Sequence, residues 1–284
     1  MPNVSDTTPA VRLRSILFAP GNSERKLRRA LDEPADAIVA DLEDSVPAAE
    51  KAEARAIVAD VLASAPARCA RFVRVNGADT GLLEEDIASL AGLRLDGLML
   101  PKAEPDALRR VGSLPVIALV ETARGMTRAG AIASSGGVVA LMLGAVDLGL
   151  ELRLLPRRDG AEIAYFRSAL VLESAAAGLG PPVDGVYLDT RDLEGLEEES
   201  SRARAFGMGG KACIHPAQVP VVNTVFSPTA EELEDAHRVI EAYESASATG
   251  SGVVALEGRM IDLPVVEQAR RLLAGEAPPH PKVG

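Results

Sequence analysis

The sequence predicts an α/β fold, a (β/α)8 TIM barrel, followed by a C-terminal extension of helices and a hairpin. Three observations lead to this prediction. The chain has 284 residues, close to the roughly 250 of a typical barrel. Eight short apolar runs recur along it, separated by amphipathic, Ala-rich segments. The residues are 47% hydrophobic but only 3% aromatic, which suits a core of Ala, Leu, Val and Ile under helices.

The eight runs have the character of buried parallel strands, because they are short, β-branched or Leu-rich, and apolar on both faces. In chain order they are SILFAP (15–20), AIVADLE (37–43), RFVRVN (71–76), GLMLPK (97–102), PVIALVE (115–121), VVALMLGAVD (138–147), GVYLD (185–189) and GKACIHP (210–216). Strands that alternate with helices indicate βαβ units, and eight such units indicate a closed barrel. An open doubly wound sheet is the alternative, but no G-x-G-x-x-G follows the first run, so its dinucleotide-binding form has no support.

The segments between the runs are predicted to be helices. The clearest is PAAEKAEARAIVADVLA at 47–63, which has Pro47 near its start and Ala, Ile, Val and Leu at helical spacing. Such helices would cover the outside of the barrel.

The pattern changes beyond residue 217. A helix is predicted at 226–248, with Ser227 as a possible N-cap. A Gly-rich turn, a short hairpin-like piece and a helix at 265–273 follow. We therefore expect a catalytic barrel domain at 1–225 and an extension at 226–284 that acts as a lid or as an arm between subunits.

Charge and cysteine content exclude several classes of protein. The net charge is −11 and the isoelectric point about 4.9, so no general attraction to nucleic acid or to an anionic membrane is expected. The only cysteines, Cys69 and Cys213, have no metal-ligand spacing and form no disulfide framework. The first residues lack the signature of a signal peptide, and no apolar run reaches the ~20 residues that span a bilayer. We expect a cytoplasmic protein.

Polar residues finish most of the runs. In a barrel, the catalytic groups lie where strands end and the following loops begin. The residues at these positions are Asp41, Glu43, Asp44, Arg74, Asn76, Lys102, Glu121, Asp147, Asp189 and His215. They are the candidates for the functional site.

Glu121 and Asp147 finish consecutive predicted strands, in VIALVETARG and LGAVDLG. Two carboxylates in one cup, without His or Cys partners, match a hard-cation site, and Mg²⁺ takes such carboxylates together with waters and an anionic substrate. A single acid at a strand end is more often an N-cap or a solvated loop residue. The pairing, with Arg74 on a nearby strand, favours the metal site.

The remaining candidates each have two interpretations. Arg74 is either a catalytic group or an ordinary salt-bridge partner of the cluster formed by Asp41, Glu43 and Asp44, and that cluster either holds metal-bound waters or braces the barrel mouth. His215 is either part of the site or a structural histidine. Lys102 is either a Schiff-base nucleophile or, more often in such surroundings, a charge-balancing partner of the acids.

Several motifs together resemble one known family. They are RSILFAPGN, ADAIVADLEDSV followed by KAEAR, VRVN, DGLMLPKAE, VIALVETARG, LGAVDLG, and GGKACIHPAQV with VVNTVFSPT. In this order they resemble the HpcH/HpaI aldolase and citrate lyase superfamily, and most closely its citrate lyase beta-subunit-like branch with the malyl-CoA and citramalyl-CoA lyases. The resemblance extends from residue 12 to residue 275.

The resemblance implies an activity and an assembly. It implies a Mg²⁺-dependent carbon–carbon lyase that acts on a 3-hydroxyacyl-CoA of the malyl-, citramalyl- or citryl-CoA type. The products would be an acyl-CoA and a 2-oxo acid, formed by retro-Claisen cleavage, and the reverse condensation is equally implied. It also implies a homotrimer or hexamer in which the C-terminal arm of one subunit reaches a neighbour.

The resemblance also implies residue roles. Glu121 and Asp147 match the metal ligands, Arg74 matches the arginine at the substrate carbonyl, and Asp262 in GRMID matches the acid delivered by the tail. The positions that match the lining of the CoA site are Phe18, Ala19, Ile214 and His215, with Arg29 near the CoA phosphates. Two positions depart from the family pattern: Ser23 stands where relatives often have Arg, and Glu151 where a second Asp is frequent.

Two other functions remain open at this point. One is a CoA-independent class II aldolase of 4-hydroxy-2-oxo acids, against which the GRMID tail argues. The other is a lyase subunit that needs an acyl-carrier partner. The identity of the acyl-CoA is not readable from the chain, because the candidates differ by a methyl or carboxymethyl group, and a methyl is worth only ~1–3 kcal/mol of pocket fit.

Overall fold

The computed structural model describes residues 12–112, 114–248 and 250–275. The outermost parts of both predicted domains, 1–11 and 276–284, lie outside the described residues. The chain divides between Phe226 and Ser227 into two compact units. Among the described helices, none combines the length and the apolar character needed to cross a membrane.

The first unit is a closed barrel of eight parallel strands, each paired with the next in chain order and the last paired with the first. The strands are β1 (Ser15–Pro20), β2 (Ala37–Asp41), β3 (Ala70–Arg74), β4 (Gly97–Leu100), β5 (Val116–Val120), β6 (Val138–Leu143), β7 (Val183–Asp184) and β8 (Gly210–Cys213). The predicted TIM barrel is confirmed.

Helices surround the barrel. They are α1 (Glu24–Asp32), α2 (Lys51–Ser64), α3 (Leu83–Ser89), α4 (Pro105–Val111), α5 (Ala123–Thr127), α6 (Ala129–Ala133), α7 (Ala145–Leu152), α8 (Ala164–Ala176), α9 (Leu193–Ala205) and α10 (Gln218–Val225). The helix predicted at 47–63 is α2 together with a 3₁₀ turn at Ala48–Glu50. It buries Ala54, Val58, Val61 and Leu62, one stripe at helical spacing.

The core has two layers, because side chains of a strand alternate between its two faces. Ile16, Val39, Phe72 and Met99 belong to the cluster inside the barrel. Leu17, Ile38, Val73 and Leu98, one residue further along or before, belong to the larger cluster between strands and helices. This double burial explains why the strands are apolar on both faces.

Two strand predictions were wrong in position. The seventh run was predicted at 185–189, but β7 is Val183–Asp184, and Asp189 lies exposed in the following loop. The sixth run was predicted to end on Asp147, but β6 ends at Leu143. Asp147 instead lies in the first turn of α7, since AVDLG is an apolar stretch that suits a buried helix as well as a strand.

A cluster of buried charges lies between β7, β8 and the helices α8 and α9. Arg167 donates to both carboxylate oxygens of Asp184, each at 2.9 Å. Lys211 Nζ donates to Asp184 Oδ2 and to Glu199 Oε1, both at 2.6 Å. Arg167, Asp184 and Lys211 are each fully buried, so every charge in this ionic cluster depends on its partners.

The second unit contains α11 (Ala230–Ala248), β9 (Val254–Leu256), β10 (Arg259–Ile261) and α12 (Leu263–Leu273). Its strands form the antiparallel hairpin expected in the tail. The two turn residues, Glu257 and Gly258, both have positive φ, as a type I′ turn requires. A small core forms from Ala236, Val239, Ile261, Val266 and Ala269.

The N-terminus of α11 differs from the prediction, which placed the N-cap at Ser227. Thr229 and Glu232 form a capping box instead: the Glu232 N–H donates to Thr229 Oγ1 at 3.1 Å, and the Thr229 N–H donates to Glu232 Oε2 at 2.7 Å. A Thr-x-x-Glu pair satisfies two backbone donors at once, and Thr229 directly precedes the first residue of α11.

Candidate active site

The carboxyl ends of β2 and β3 bring Asp41 and Arg74 side by side, because these two residues are paired in the parallel register. Arg74 Nε donates to Asp41 Oδ1 and Arg74 Nη2 to Asp41 Oδ2, both at 2.7 Å. Burial raises the pKa of Asp41, but hydrogen bonds and charge from Arg74 outweigh it and hold the pKa below its ordinary value. The pair is therefore charged and fixed.

The Phe18 ring of β1 lies against the same guanidinium, whose edge is hydrogen-bonded to Asp41. The Arg74 Cζ atom lies 5.3 Å from the centroid of the Phe18 ring, within the range of a cation–π contact. Carboxylate and ring together leave the Arg74 side chain little freedom. Its Nη1 atom is directed toward the acids that follow β2.

Glu43 is the least satisfied of these acids. Its Oε2 atom lies 2.9 Å from Arg74 Nη1, but outside hydrogen-bond geometry, so this buried oxygen has no hydrogen-bond partner. Burial raises the pKa of Glu43 to about 7, against the lowering effect of Arg74. Asp44 is exposed and contacts Arg74 Nη1 at 3.4 Å.

Lys51 fixes the loop that carries Glu43 and Asp44. Its Nζ atom donates to the carbonyl oxygens of Leu42 at 2.6 Å and Glu43 at 2.7 Å, and to Asn76 Oδ1 at 2.7 Å. All three ammonium hydrogens are thus used. The sequence pointed to Asn76 as a strand-end residue but not to Lys51, because a side chain that bonds distant carbonyl oxygens leaves no spacing signal.

Glu121 lies just past β5 and is almost fully buried, with 3% of its surface exposed. Its Oε1 accepts a hydrogen bond from the Lys102 N–H at 2.8 Å. Lys102 adopts the left-handed conformation, with φ at +46°, which is uncommon for a residue other than Gly and directs its N–H at Glu121. Burial raises the pKa of Glu121 to about 8, and the charges of Glu43 and Asp147 add to this.

Gly144 makes room for Glu121. A Cβ atom on Gly144 would lie 2.7 Å from Glu121 Oε2 and closer still to its Cβ. Asp147 follows one turn later, half-buried in α7. The charge of Asp147 contributes to the raised pKa of Glu121, so the two acids lie near each other, although Asp147 comes from a helix rather than a strand end. That they bind one cation stays a prediction.

The cup fits a divalent cation. Glu121, Asp147 and Glu43 offer only oxygen donors, the type that Mg²⁺ prefers. Glu43 Oε2 has no hydrogen bond, although Arg74 Nη1 lies 2.9 Å away, and burial raises the pKa of both Glu43 and Glu121. A bound cation would offset the cost of ionising these two buried acids. Within 12–112, 114–248 and 250–275, no group of three or more His, Cys, Asp and Glu has the arrangement of a metal site. A Mg²⁺ site of two carboxylates completed by water and substrate needs no such group.

The segment after β8 forms another part of the mouth. Ile214 and His215 are exposed there, and their backbone N–H groups donate to Gln218 Oε1 at 2.8 and 3.2 Å. Gln218 is fully buried and donates in turn to the Tyr187 carbonyl oxygen at 2.9 Å. The His215 ring accepts from the Ala217 N–H at 3.2 Å. Sequence reasoning missed Gln218, whose role appears only when the loop is folded.

Other predicted residues have different positions. Ala19 packs between β1 and the helices, so only its backbone is available to the mouth. Arg29 lies in the last turn of α1, beside Glu33, and its place near the CoA phosphates stays a prediction. Lys102 is exposed, whereas a Schiff-base lysine needs a desolvated pocket.

Asp262 belongs to the second unit. It is the N-cap of α12, where its Oδ1 accepts from the Val265 N–H at 3.4 Å. This local role is sufficient to account for an acid at this position. A catalytic role for Asp262 stays a prediction.

Comparison with known proteins gives consistent matches over most of the chain. The family model described as HpcH/HpaI aldolase/citrate lyase matches residues 14–216, and one described as C-C bond lyase of the TIM-barrel fold matches residues 165–269. A (3S)-malyl-CoA thioesterase of Cereibacter sphaeroides is 38% identical over 267 residues, 92% of this chain and 93% of the relative. Citrate lyase subunit beta of Leuconostoc mesenteroides subsp. cremoris is 34% identical over 278 residues, 92% of each chain.

A solved structure matches in the same way. The crystal structure of the protein CitE from Mycobacterium tuberculosis, in complex with magnesium, acetoacetate and coenzyme A, superposes with a TM-score of 0.82 at 36% identity. The match covers 94% of this chain and 98% of that chain. With the closed barrel and the acidic mouth, these matches establish that the chain belongs to the HpcH/HpaI aldolase/citrate lyase family.

Proposed function

We propose that this protein is a Mg²⁺-dependent carbon–carbon lyase acting on a 3-hydroxyacyl-CoA of the malyl-, citramalyl- or citryl-CoA type. The observation that carries the proposal is the pair of buried carboxylates, Glu43 and Glu121, near the Arg74 guanidinium, which Asp41 and Phe18 hold in place. The relative crystallised with magnesium, acetoacetate and coenzyme A supports the same chemistry.

Glu121 and Asp147 are the residues that would hold the cation, with Glu43 and Asp44 beside them for its waters. When bound, Mg²⁺ supplies Lewis-acid polarisation of the hydroxyl and carboxylate oxygens of the substrate. The backbone N–H of Lys102 keeps Glu121 in place by occupying one of its carboxylate oxygens. The other oxygen stays available to a ligand.

Arg74 is proposed to act on the thioester side of the carbon–carbon bond that breaks. Breaking that bond leaves negative charge on the thioester oxygen, and the Nη1 edge of Arg74 is the donor not committed to Asp41. One positioned donor of this kind is commonly worth about 3 kcal/mol of transition-state stabilisation. Because Asp41 and Phe18 hold the guanidinium beforehand, no reorganisation is needed at that step.

Asp262 is proposed to exchange the carbon-bound proton, donating it in cleavage and removing it from acyl-CoA in condensation. We further propose that it acts in the site of a neighbouring subunit, with the extension as an arm within a homotrimer or hexamer. Its present bond to the α12 backbone uses only one carboxylate oxygen. The second oxygen is free for a proton.

The CoA arm is proposed to lie along β1 and β8, which are neighbours in the barrel. Phe18, the backbone of Ala19, Ile214 and His215 would contact the thioester. Arg25 and Lys26 are exposed in the first turn of α1, close to the end of β1. They would supply positive charge for the phosphates together with the predicted Arg29, while Ser23 carries none.

Thioester hydrolysis is the second candidate, because a relative 38% identical is named a (3S)-malyl-CoA thioesterase. One assay separates the two activities. The purified protein is incubated with malyl-, citramalyl- and citryl-CoA and Mg²⁺, and free CoA thiol and 2-oxo acid are scored separately. A lyase gives 2-oxo acid without free thiol, whereas a thioesterase gives free thiol without 2-oxo acid.

The metal role is tested in the same assay. Glu121→Gln and Asp147→Asn should each abolish Mg²⁺-dependent turnover, and chelation by EDTA should stop the wild-type reaction. Full activity in EDTA would contradict the proposal. Cleavage of 4-hydroxy-2-oxo acids without CoA, or activity only with an acyl-carrier protein, would instead identify the protein as an aldolase or as a subunit of a larger lyase.

A further inference from the structure

We propose that Glu151 is a positioning residue that sets the separation of Glu121 and Asp147. It does so by tying α7 to the start of α5. The inference rests on the proposed function, since it concerns the two acids that would hold the cation. It assigns Glu151 a contact with the protein backbone rather than with the substrate.

The contact joins segments 28 residues apart in the chain. Glu151 Oε2 accepts a hydrogen bond from the Ala123 N–H at 2.9 Å. Ala123 is the first residue of α5, so its N–H has no acceptor within the helix. Glu151 supplies that acceptor from the neighbouring helix.

The positions of the four residues make this contact relevant to the cup. Ala123 follows Glu121 by two residues, and Glu151 follows Asp147 by four, one helical turn along the same face of α7. The hydrogen bond therefore links the segment that carries Glu121 to the helix that carries Asp147. We call residues 120–123 and 144–151 together the carboxylate bracket.

The other end of the carboxylate bracket is closed by backbone. The Gly144 N–H donates to the Val120 carbonyl oxygen at 3.0 Å, and the missing side chain of Gly144 lets the Glu121 side chain pass. Asp147 thus lies between a backbone contact three residues before it and a side-chain contact four residues after it. The two contacts therefore restrain the backbone segments that carry Glu121 and Asp147.

This hydrogen bond matters because Mg²⁺ binding is sensitive to the positions of its ligands. Mg²⁺ requires near-ideal octahedral geometry with ligands at about 2.0–2.1 Å. Without the cation, two carboxylates that face the same site repel each other. A hydrogen bond between their two segments opposes that separation and keeps the cup ready for the ion.

The alternative is that Glu151 only caps α5. A cap contributes to stability and leaves metal affinity unchanged once the protein is folded. Glu151 is exposed, so its removal leaves no cavity and no buried unpaired charge. Stability and metal affinity can therefore be separated by experiment.

The experiment measures Mn²⁺ binding to the full-length protein by electron paramagnetic resonance, together with hydrogen exchange of the Ala123 amide. We expect Glu151→Ala to bind Mn²⁺ about threefold to tenfold more weakly, the range that one net hydrogen bond supplies, with faster exchange at Ala123. Glu151→Gln keeps a carbonyl acceptor at the same reach and should stay within about twofold of wild type. Glu197→Ala removes an exposed glutamate from α9 and is the matched control, expected to behave as wild type.

Three results would overturn the inference, and they are distinguishable. Unchanged Mn²⁺ affinity in Glu151→Ala would leave Glu151 as a cap only. Equal weakening in Glu151→Ala and Glu151→Gln, in parallel with the melting temperature, would indicate a structural role. If wild type and Glu121→Gln bind Mn²⁺ equally, or neither binds it, the metal site itself fails and the proposed function with it.

Discussion

Gly144 illustrates how much of the site depends on a single residue without a side chain. A Cβ atom there would collide with Glu121. We predict that Gly144→Ala displaces the Glu121 carboxylate and lowers kcat at least about a hundredfold, comparable to the loss of one catalytic contact. Steady-state kinetics across a range of Mg²⁺ concentrations would measure the loss, which higher Mg²⁺ should not restore.

Gly149 is the matched control, because it lies in the same helix and a Cβ there would meet nothing within 4 Å. Gly149→Ala should leave kcat unchanged and raise the free energy of unfolding by up to about 1 kcal/mol, since Ala is the better helix former. Equal activity in the two alanine variants would contradict the packing argument at Gly144.

At the residue scale, the sequence predicts groups whose chemistry is self-evident and misses those that act through other residues. Arg74 and Glu121 stand out as charges that finish apolar strands. Lys51, Gln218 and Glu151 act instead by bonding backbone atoms far away in the chain. Such bonds depend on the folded geometry alone, and no local spacing encodes them.

The ionic cluster is the element-scale feature that holds α8 and α9 against β7 and β8. Burial raises the pKa of Asp184, but the charges of Lys211 and Arg167 outweigh it and hold the pKa below its ordinary value. The folded state therefore releases this proton at lower pH than the unfolded chain, where the pKa is about 3.9. The stabilisation is fully present above that value and is lost as the pH falls further.

We predict that Asp184→Asn lowers the free energy of unfolding by about 3–5 kcal/mol near neutral pH, because two buried cations lose the carboxylate they share and keep only Glu199. The difference between variant and wild type should shrink as the pH falls below about 4. Urea unfolding at a series of pH values measures both. Asp60→Asn, an exposed acid on α2, should show neither effect, and a difference that stays constant with pH would contradict the assignment.

The N-terminus of α12 allows the two roles of Asp262 to be separated. Asn caps a helix about as well as Asp but cannot exchange a proton. We predict that Asp262→Asn keeps the melting temperature while kcat falls at least about a hundredfold. Asp262→Ala should lose both activity and about 1 kcal/mol of stability. Wild-type activity in Asp262→Asn would leave the residue as a cap.

Misplaced elements have a physical explanation. The apolar GVYLD predicts a strand at 185–189, whereas β7 includes Asp184. The buried charge of Asp184 is tolerated because Arg167 and Lys211 donate to it. The start of α7 was assigned to β6 because its apolar residues suit either structure. Both errors arise where tertiary contacts override local preference.

The proposed assembly, in which the extension of one subunit reaches the barrel of another, can be tested by mixing two inactive variants. If an arm supplies Asp262 to a neighbouring barrel, then mixing Asp262→Asn with Arg74→Lys protein should restore activity. Each working site needs an intact barrel and an intact arm, so about a quarter of wild-type activity is expected after full exchange of two equal pools. Native mass spectrometry of mass-labelled pools would establish the exchange. No recovery under proven exchange would contradict an arm that acts between subunits.

The overall architecture was the most predictable level. Eight repeats of strand and helix specify a closed barrel whatever the error in one strand, because closure depends on their number and order. The mouth could be located in the same way, since it collects the strand ends. The position of Glu121 relative to Asp147 could not be predicted from the sequence. It depends on Gly144 and on a hydrogen bond between residues 28 positions apart in the chain.

Closure of the barrel also has a consequence for synthesis. β1 finds its second partner only in β8, whose residues pair with those of β1 from 196 residues further along the chain. While the ribosome is at work, the first strand presents an open edge, and open edges are sites of aggregation. A nascent chain that ends before residue 213 lacks a complete β8 and cannot close the barrel. We therefore expect the nascent chain to depend on chaperones until β8 has been synthesised.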